Sequence, residues 1–294
     1  MLFALSACAL AALLLVGGLW RGHLKMNRIL QPTLHPVALV EDAQALERGR
    51  YLYASRGCAE CHGADGAGKV FIDDPAGGLR AISPNISPGP GNVVAAYSAT
   101  DWDRTLRHGV KRDGRPLLIM PSEDYAQLSN EDLAALVMFV RHLPPAKGGE
   151  GTLDLPLMFP VLYGLGLVKD AAEKIDHERA PVQAVAAGVT PAYGEYVAQM
   201  CQGCHGSGLS GGAIPGAPPA WPVAANLTPG EGSAMGVYAE LPAFKAMLRS
   251  GRRPDGSAIS RVMPFASLGA LSDIEAGALH LYLRGLPRRA AGQH

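Results

Sequence analysis

Aromatic rings are scarce in this 294-residue sequence, at 6% of positions, and neither sign of charge is in excess, with 26 basic side chains against 26 acidic ones. A zero net charge argues against the basic stripe that nucleic-acid binding needs, so no nucleic-acid partner is expected. No stretch alternates apolar and polar residues as a half-buried strand would, so an all-α fold is expected. With few rings, the interior must be filled by something else. The 48% apolar and 18% charged composition belongs to a globular chain rather than a disordered one. Its 36 glycines and 23 prolines demand long irregular loops. The length suffices for two ordinary domains with a tether and a linker.

Residues Leu2 to Trp20 form a 19-residue run without a charge, long enough to span a bilayer core as a helix. Arg21, Lys25 and Arg28 follow. No basic stretch precedes the run and no clear A-x-A site ends it, so residues 1–28 read as an uncleaved transmembrane anchor rather than a signal peptide. Val16-Gly17-Gly18 is a poor cleavage site, and Leu5-Ser6-Ala7-Cys8, which looks like a lipobox, comes too early in the apolar run. The basic residues after the helix favour the cytoplasmic side, but long soluble domains cross largely regardless of nearby charge.

Cys8 stands alone among five cysteines; the other four form Cys58-Ala59-Glu60-Cys61-His62 and Cys201-Gln202-Gly203-Cys204-His205. C-x-x-C-H is the pattern of covalent c-type haem attachment. Two thiols three residues apart on one helical turn reach both porphyrin vinyl groups, and the adjacent histidine supplies an imidazole to the iron. Random placement of this composition would give roughly 0.003 such matches per chain. A zinc site made of two cysteine pairs expects them much closer together than the 143 residues between Cys58 and Cys201, and a thioredoxin-like dithiol needs a βαβ setting that neither motif has. Two covalently attached haem c groups are expected. Since haem c is attached outside the cytoplasm, the soluble part is expected to face the periplasm from the bacterial inner membrane.

The 143-residue shift also superposes Met120 on Met263, Pro121 on Pro264, Leu128-Ser129 on Leu271-Ser272 and Leu143-Pro144 on Leu286-Pro287. Asn85-Ile86-Ser87-Pro88 answers Asn226-Leu227-Thr228-Pro229 with a slightly smaller offset. This internal repeat gives two tandem domains, residues 41–145 and 191–288, joined by an apolar linker over 146–190. Each copy reads as a helix ending in the attachment motif (Gln44 to Gly57, Pro191 to Gly203), a loop, a second helix, a methionine loop and a last helix. Ser129 and Ser272 are predicted N-caps with an acid three residues on. The apolar stripes of the last helices read as Leu133, Leu136, Val137, Val140 and Ile274, Ala278, Leu281, Tyr282.

An electron-carrying haem needs a second axial ligand. Met120 and Met263 are the candidates, each 58 residues after its own haem histidine, His62 or His205. The iron ligands are thus expected to be His62 with Met120 and His205 with Met263. Met138, Met158, Met200, Met235 and Met247 read as core filler. His108 and His142 have Ser250 and Gly285 at the corresponding places and read as exposed. Arg107 and Arg249 are candidate partners of haem propionates, or else surface arginines on the same helix. The Asn-x-Ser/Thr-Pro segments read as loops with Asn capping backbone groups.

These motifs, with Leu106 to Pro116 and the Met-Pro loop before Leu128-Ser129-Asn130-Glu131-Asp132-Leu133, resemble the multihaem cytochrome c subunits of bacterial membrane-bound alcohol and gluconate dehydrogenases. The resemblance covers about residues 41–145 and 188–288. It implies class I cytochrome c domains and electron delivery from a dehydrogenase to quinone or the respiratory chain. Those subunits usually carry three haem motifs; this sequence carries two. The expected partners are redox proteins, a dehydrogenase subunit on one side and a respiratory complex or terminal oxidase on the other.

The expected function is single-electron transfer without catalysis. The alternative, a dihaem peroxidase or an oxidase of small sulfur compounds, needs an open iron position and an acid–base group above it. The linker stretch Leu153 to Val168 contains Pro156 and Pro160 and cannot be one spanning helix. It is expected to pack between the two domains; the other reading places it on the bilayer or on a membrane partner.

Overall fold

The computed structural model describes residues 2–39, 41–214, 216–217 and 221–293, with side chains from Ser6 onward. The apolar run forms helix α1, Leu2–Met26. Among the described residues it is the one helix long and apolar enough to cross a membrane, over Ser6–Met26.

The N-terminal half holds α2 (Ala43–Ser55), α3 (Cys58–His62), α4 (Ala99–His108), α5 (Ser122–Tyr125) and α6 (Asn130–Arg141). Between the expected helix Gln44–Gly57 and the haem motif, Gly57 turns left-handed at φ 83°, so the motif starts a new helix. Helices α2 and α6 cross so closely at Gly49 that a Cβ there would lie 1.9 Å from the Ala135 carbonyl oxygen. Leu52, Leu133, Leu136 and Val137 fill this crossing, all nearly inaccessible.

A small antiparallel sheet, absent from the all-α expectation, lies beside this core: β1 (Val70–Asp74), β2 (Leu79–Ile82) and β3 (Thr152–Asp154), in the order β1-β2-β3. Each strand is too short and too exposed to alternate visibly in the sequence. The linker supplies the third strand.

The C-terminal half repeats the helical order. Helix α8 (Pro191–Ala198) runs through a 3-10 turn, Gln199–Cys201, into α9 (Gln202–His205), followed by α10 (Leu241–Ser250), α11 (Phe265–Gly269) and α12 (Asp273–Gly285). Gly194 crosses α12 as Gly49 crosses α6, its Cβ position 2.1 Å from the Ala278 oxygen. A second core gathers Tyr193, Val197, Phe244, Leu248, Leu279 and Leu283.

Ser129 and Ser272 are the N-caps of α6 and α12, accepting from the backbone N–H groups of Asp132 and Glu275. The stripe on α6 is buried as read, but that on α12 holds only in part. Ala278 is buried and Tyr282 packs at the core's edge. Ile274 and Leu281 are exposed, and Glu275, Ala276, Leu279 and Leu283 are buried instead. Glu275 holds the inner position because it is an ion-pair partner of the other half.

The two halves meet through α2, α6, α8 and α12 directly, rather than across the linker. In an ordinary capping box the N-cap N–H bonds the carboxylate three residues on. Here a tyrosine of the opposite half stands between them. Ser272 N donates to Tyr51 Oη, which donates to the Glu275 carboxylate. In the mirror arrangement Ser129 N donates to Tyr196 Oη at 3.1 Å, which donates to Asp132 Oδ2 at 2.7 Å. Arg56, buried, pairs with Glu275 through both terminal nitrogens at 3.1 and 2.8 Å. Arg48 grips Asp132 bidentately at 2.7 Å. Burial alone would raise both carboxyls, but Arg56 beside Glu275 and Arg48 beside Asp132 hold each below its ordinary value.

The linker takes a different course from the one expected. Helix α7 (Phe159–Gly164) packs on the end of α1, with Gly18 and Gly22 against Pro160, Val161 and Gly164. Lys25 Nζ donates to the Tyr163 carbonyl at 2.9 Å, and Arg28 bonds both Tyr163 Oη and Asp170.

Candidate functional site

The haem-motif histidines are oriented alike. His62 Nδ1 donates to the Pro84 carbonyl at 3.0 Å, and His205 Nδ1 to the Ala225 carbonyl at 2.7 Å. A proton held on Nδ1 leaves the lone pair on Nε2, the atom that would bind iron. Burial lowers both imidazoles below their ordinary value and favours this neutral form.

Those carbonyls are themselves fixed by the Asn-x-Ser/Thr-Pro loops. Buried Asn85 accepts from Ser87 N and Ser87 Oγ at 2.9 and 2.8 Å and donates to the Ala146 carbonyl at 2.8 Å. Asn226 does the same with Thr228 and the Arg289 carbonyl. Each asparagine locks the loop beginning at the carbonyl that orients its histidine.

The four motif cysteines form no disulfide with one another. Burial pushes Cys58 and Cys201 up to about 12, and the partner thiol of each pair adds to the rise. Thiols held in the neutral form are poor nucleophiles for dithiol exchange. No group of three or more His, Cys, Asp or Glu among the described residues is placed to hold a metal ion. Paired thiols beside an imidazole with a free Nε2 fit the haem expected of the motif. Met120 and Met263, both half-buried, pack at the edges of the two cores. Each opens a Met-Pro turn into a short helix, α5 or α11.

Those two short helices cross over. In α11, Ser267 donates through its backbone N and its Oγ to Glu60 Oε1, inside the first haem motif, at 2.9 and 2.6 Å. In α5, Asp124 occupies the position equivalent to Ser267 and lies against the second motif, its Oδ1 3.3 Å from where a Gly203 Cβ would be. Burial, with Glu123 adjoining, pushes Asp124 up to about 8. Next to it, Tyr125 Oη donates to the Arg56 carbonyl at 3.1 Å, just before Cys58. Each methionine turn thus abuts the attachment motif of the opposite half. The repeat could have suggested that the halves pair, but no single residue in it announces this exchange.

Arg107 and Arg249 lie against the start of the last helix of their own half. Arg107 bonds Asp103, the Leu128 carbonyl and Asn130, and Arg249 bonds Asp273 at 2.5 Å. His108, read as exposed, is buried instead, its Nδ1 2.9 Å from His177 Nδ1 on the linker. His142 bonds the Met138 carbonyl and approaches Glu41. Met138, Met235 and Met247 are core residues as read, while Met158 is exposed.

Residues 46–144 match the family model described as cytochrome c. This stretch is a cytochrome c domain. Among curated proteins the chain is 32% identical, over 57% of its own length, to a fructose dehydrogenase cytochrome subunit of Gluconobacter japonicus. It is 31% identical over 46% of its length to a gluconate 2-dehydrogenase cytochrome c subunit of Pantoea cypripedii. It is also 31% identical over 38% of its length to a diheme cytochrome c-type protein of Cereibacter sphaeroides. The matches span about a third of the first two relatives, 34% and 32%, and 40% of the third. The cytochrome c domain implies covalently bound haem c, and the relatives named as cytochrome subunits are electron-transfer components of dehydrogenases rather than their catalytic subunits.

Proposed function

We propose that the chain is a dihaem electron relay, built from tandem class I cytochrome c domains over residues 41–145 and 191–288. Haem would attach at Cys58 and Cys61 and at Cys201 and Cys204. His62 with Met120, and His205 with Met263, would complete the two iron coordination spheres, and the bound group supplies reversible one-electron chemistry. The chain holds each histidine as its Nδ1–H tautomer, packs the half-buried thioethers at the edges of the two cores and holds the two motifs against one another. Arg107 and Arg249 would contact a propionate only through N–H groups left over from the bonds above. Arg107 Nε is one, buried and without a partner among the described residues.

The exchanged Met-turn helices carry this reading, because α5 and α11 bring each attachment motif against the other half. A relay needs its two centres held close at a fixed separation, and this packing supports that.

The donor is proposed to be a membrane-associated dehydrogenase and the acceptor a respiratory complex or terminal oxidase, in keeping with the names of the relatives. The anchor α1 is proposed to hold the protein on the inner membrane with both haem sites on the periplasmic side.

Mass spectrometry of the mature protein should find two added haems. Optical and EPR spectra of the oxidised protein should show two low-spin centres, and Met120→Ala should convert one of them to a form that binds exogenous ligand at a lowered potential. A mass without two haems, or an unchanged spectrum in Met120→Ala, would refute the assignment.

A further inference from the structure

We propose that the linker segment around α7 is a second membrane contact, lying in the headgroup–acyl boundary of the leaflet where α1 leaves the bilayer. The inference rests on the reading of α1 as a membrane anchor and deepens it.

Position comes first. Helix α7 lies alongside residues 18–25 of α1: Gly18 meets Val161 and Leu165, Gly22 meets Pro160, and Lys25 reaches Tyr163. A Cβ on Gly22 would lie 1.9 Å from the Pro160 oxygen, and one on Gly164 would lie 2.0 Å from the Gly18 oxygen. The backbones therefore touch without side chains between them, the packing that small residues allow between helices in lipid. The uncharged run of α1 ends at Trp20, and Arg21, Lys25 and Arg28 mark the water boundary. The segment next to residues 18–25 is therefore at that boundary.

Polarity comes second. On the body side α7 and its flanks are tied by charge, through Arg28 to Asp170 and Lys25 to Glu173. Elsewhere they offer bare apolar surface. Leu157 is 94% exposed and Leu167 67%, with Met158, Leu162 and Leu165 also exposed. Trp20 and Leu24 on α1 are exposed as well. A patch of this kind, contiguous with a spanning helix and carrying no charge of its own, suits lipid acyl chains. The consequence is orientation. A single span leaves the soluble body free to swivel, whereas a span with an interfacial elbow fixes the face that the two haem sites turn to the membrane.

The test uses the full-length holoprotein in vesicles of phosphatidylethanolamine and phosphatidylglycerol carrying a photoactivatable diazirine on the acyl chain. Cross-linked peptides are mapped by mass spectrometry, and haem absorption verifies that the protein is intact. Adducts are expected within both Leu2–Trp20 and Leu153–Val168. In Leu157→Glu/Leu167→Glu, whose altered side chains are the most exposed of the patch, the second set should disappear while the first and the haem spectrum persist. Adducts on α1 with none on the linker of the wild-type protein would overturn this inference and leave the anchor intact. Adducts on neither would overturn the anchor reading itself. Linker adducts undiminished by the double substitution would also refute the proposed contact.

Discussion

Replacing Glu275 by Gln should weaken the protein more than any other single neutralisation on its surface or in its interface. The carboxylate is 1% exposed and receives Arg56 Nη1 and Nη2 at 3.1 and 2.8 Å and Tyr193 Oη at 3.0 Å, in addition to Tyr51 Oη. Removing its charge leaves the buried Arg56 guanidinium uncompensated, which typically costs about 3–5 kcal/mol. Gln keeps one acceptor, so the lower end, about 3 kcal/mol, is expected. Tyr51→Phe removes one hydrogen bond to a charged group, about 1.5–3 kcal/mol. Because both act on one network, the double variant should lose less than the sum of the two. Denaturant unfolding followed by far-UV circular dichroism measures all three. The pH dependence supplies a second arm. Glu275 titrates below its ordinary value in the fold, so its contribution is complete above the ordinary carboxylate range and is lost as pH falls through the depressed value. The wild-type protein should therefore lose stability below about pH 4, and Glu275→Gln should lose less over that interval. A Glu275→Gln variant within about 0.5 kcal/mol of wild type, or strict additivity with Tyr51→Phe, would refute the reasoning.

Further expectations follow from the same contacts. Gly49→Ala should destabilise the α2–α6 crossing by about 1–3 kcal/mol, since its Cβ would sit 1.9 Å from the Ala135 oxygen, and Gly194→Ala should act alike on α8 and α12; thermal unfolding reads both. Asn85→Ala strands Ser87 and the Ala146 carbonyl and loosens the loop that orients His62, so it should cost about 1–3 kcal/mol and broaden one haem potential in redox titration while leaving the other unchanged. His177 lies below its ordinary value, first through burial and then through His108 beside it, so the neutral form is favoured in the fold. Its contribution is present above the ordinary histidine range, about 6.5, and is lost as pH falls through that range towards the folded value. Protection factors against hydrogen exchange over residues 170–182, with the intrinsic pH dependence divided out, should fall between about pH 7.5 and pH 5, and His177→Gln should abolish that fall.

What the sequence carried legibly was local. The C-x-x-C-H motifs need three residues on one turn, Ser129 and Ser272 need only the turn that follows them, and the α6 stripe declares itself by spacing alone. The illegible parts join residues far apart. Glu275 reads as the acid of the Ser272 cap, and its distant partners, Tyr51 and, 219 residues earlier, Arg56, make it interior. That exchange turns α12 so that Ile274 and Leu281 are exposed. His108 reads as exposed because its partner, His177, belongs to a linker whose course no periodicity describes. Arg107 suits a carboxylate chemically, yet the acids and carbonyls within reach are Asp103, Asn130 and Leu128, all on its own half. The sheet escaped notice because its third strand, Thr152–Asp154, comes from the same linker.

A duplication of the kind the internal repeat suggests would explain why the interface takes this form. In one isolated copy, the N-cap N–H of the last helix and the acid three residues on would bond each other, and nothing in the copy would need a partner. Inserting a tyrosine between them keeps both groups satisfied only when a second copy supplies the hydroxyl. Tyr51 and Tyr196 do this reciprocally, so neither half completes its cap alone. The same pairing brings α5 onto the second attachment motif and α11 onto the first. The groups that finish the caps therefore also set the separation of the two C-x-x-C-H motifs, and, if both carry haem as proposed, a substitution that opens the caps should change electron exchange between them before it disturbs either one alone.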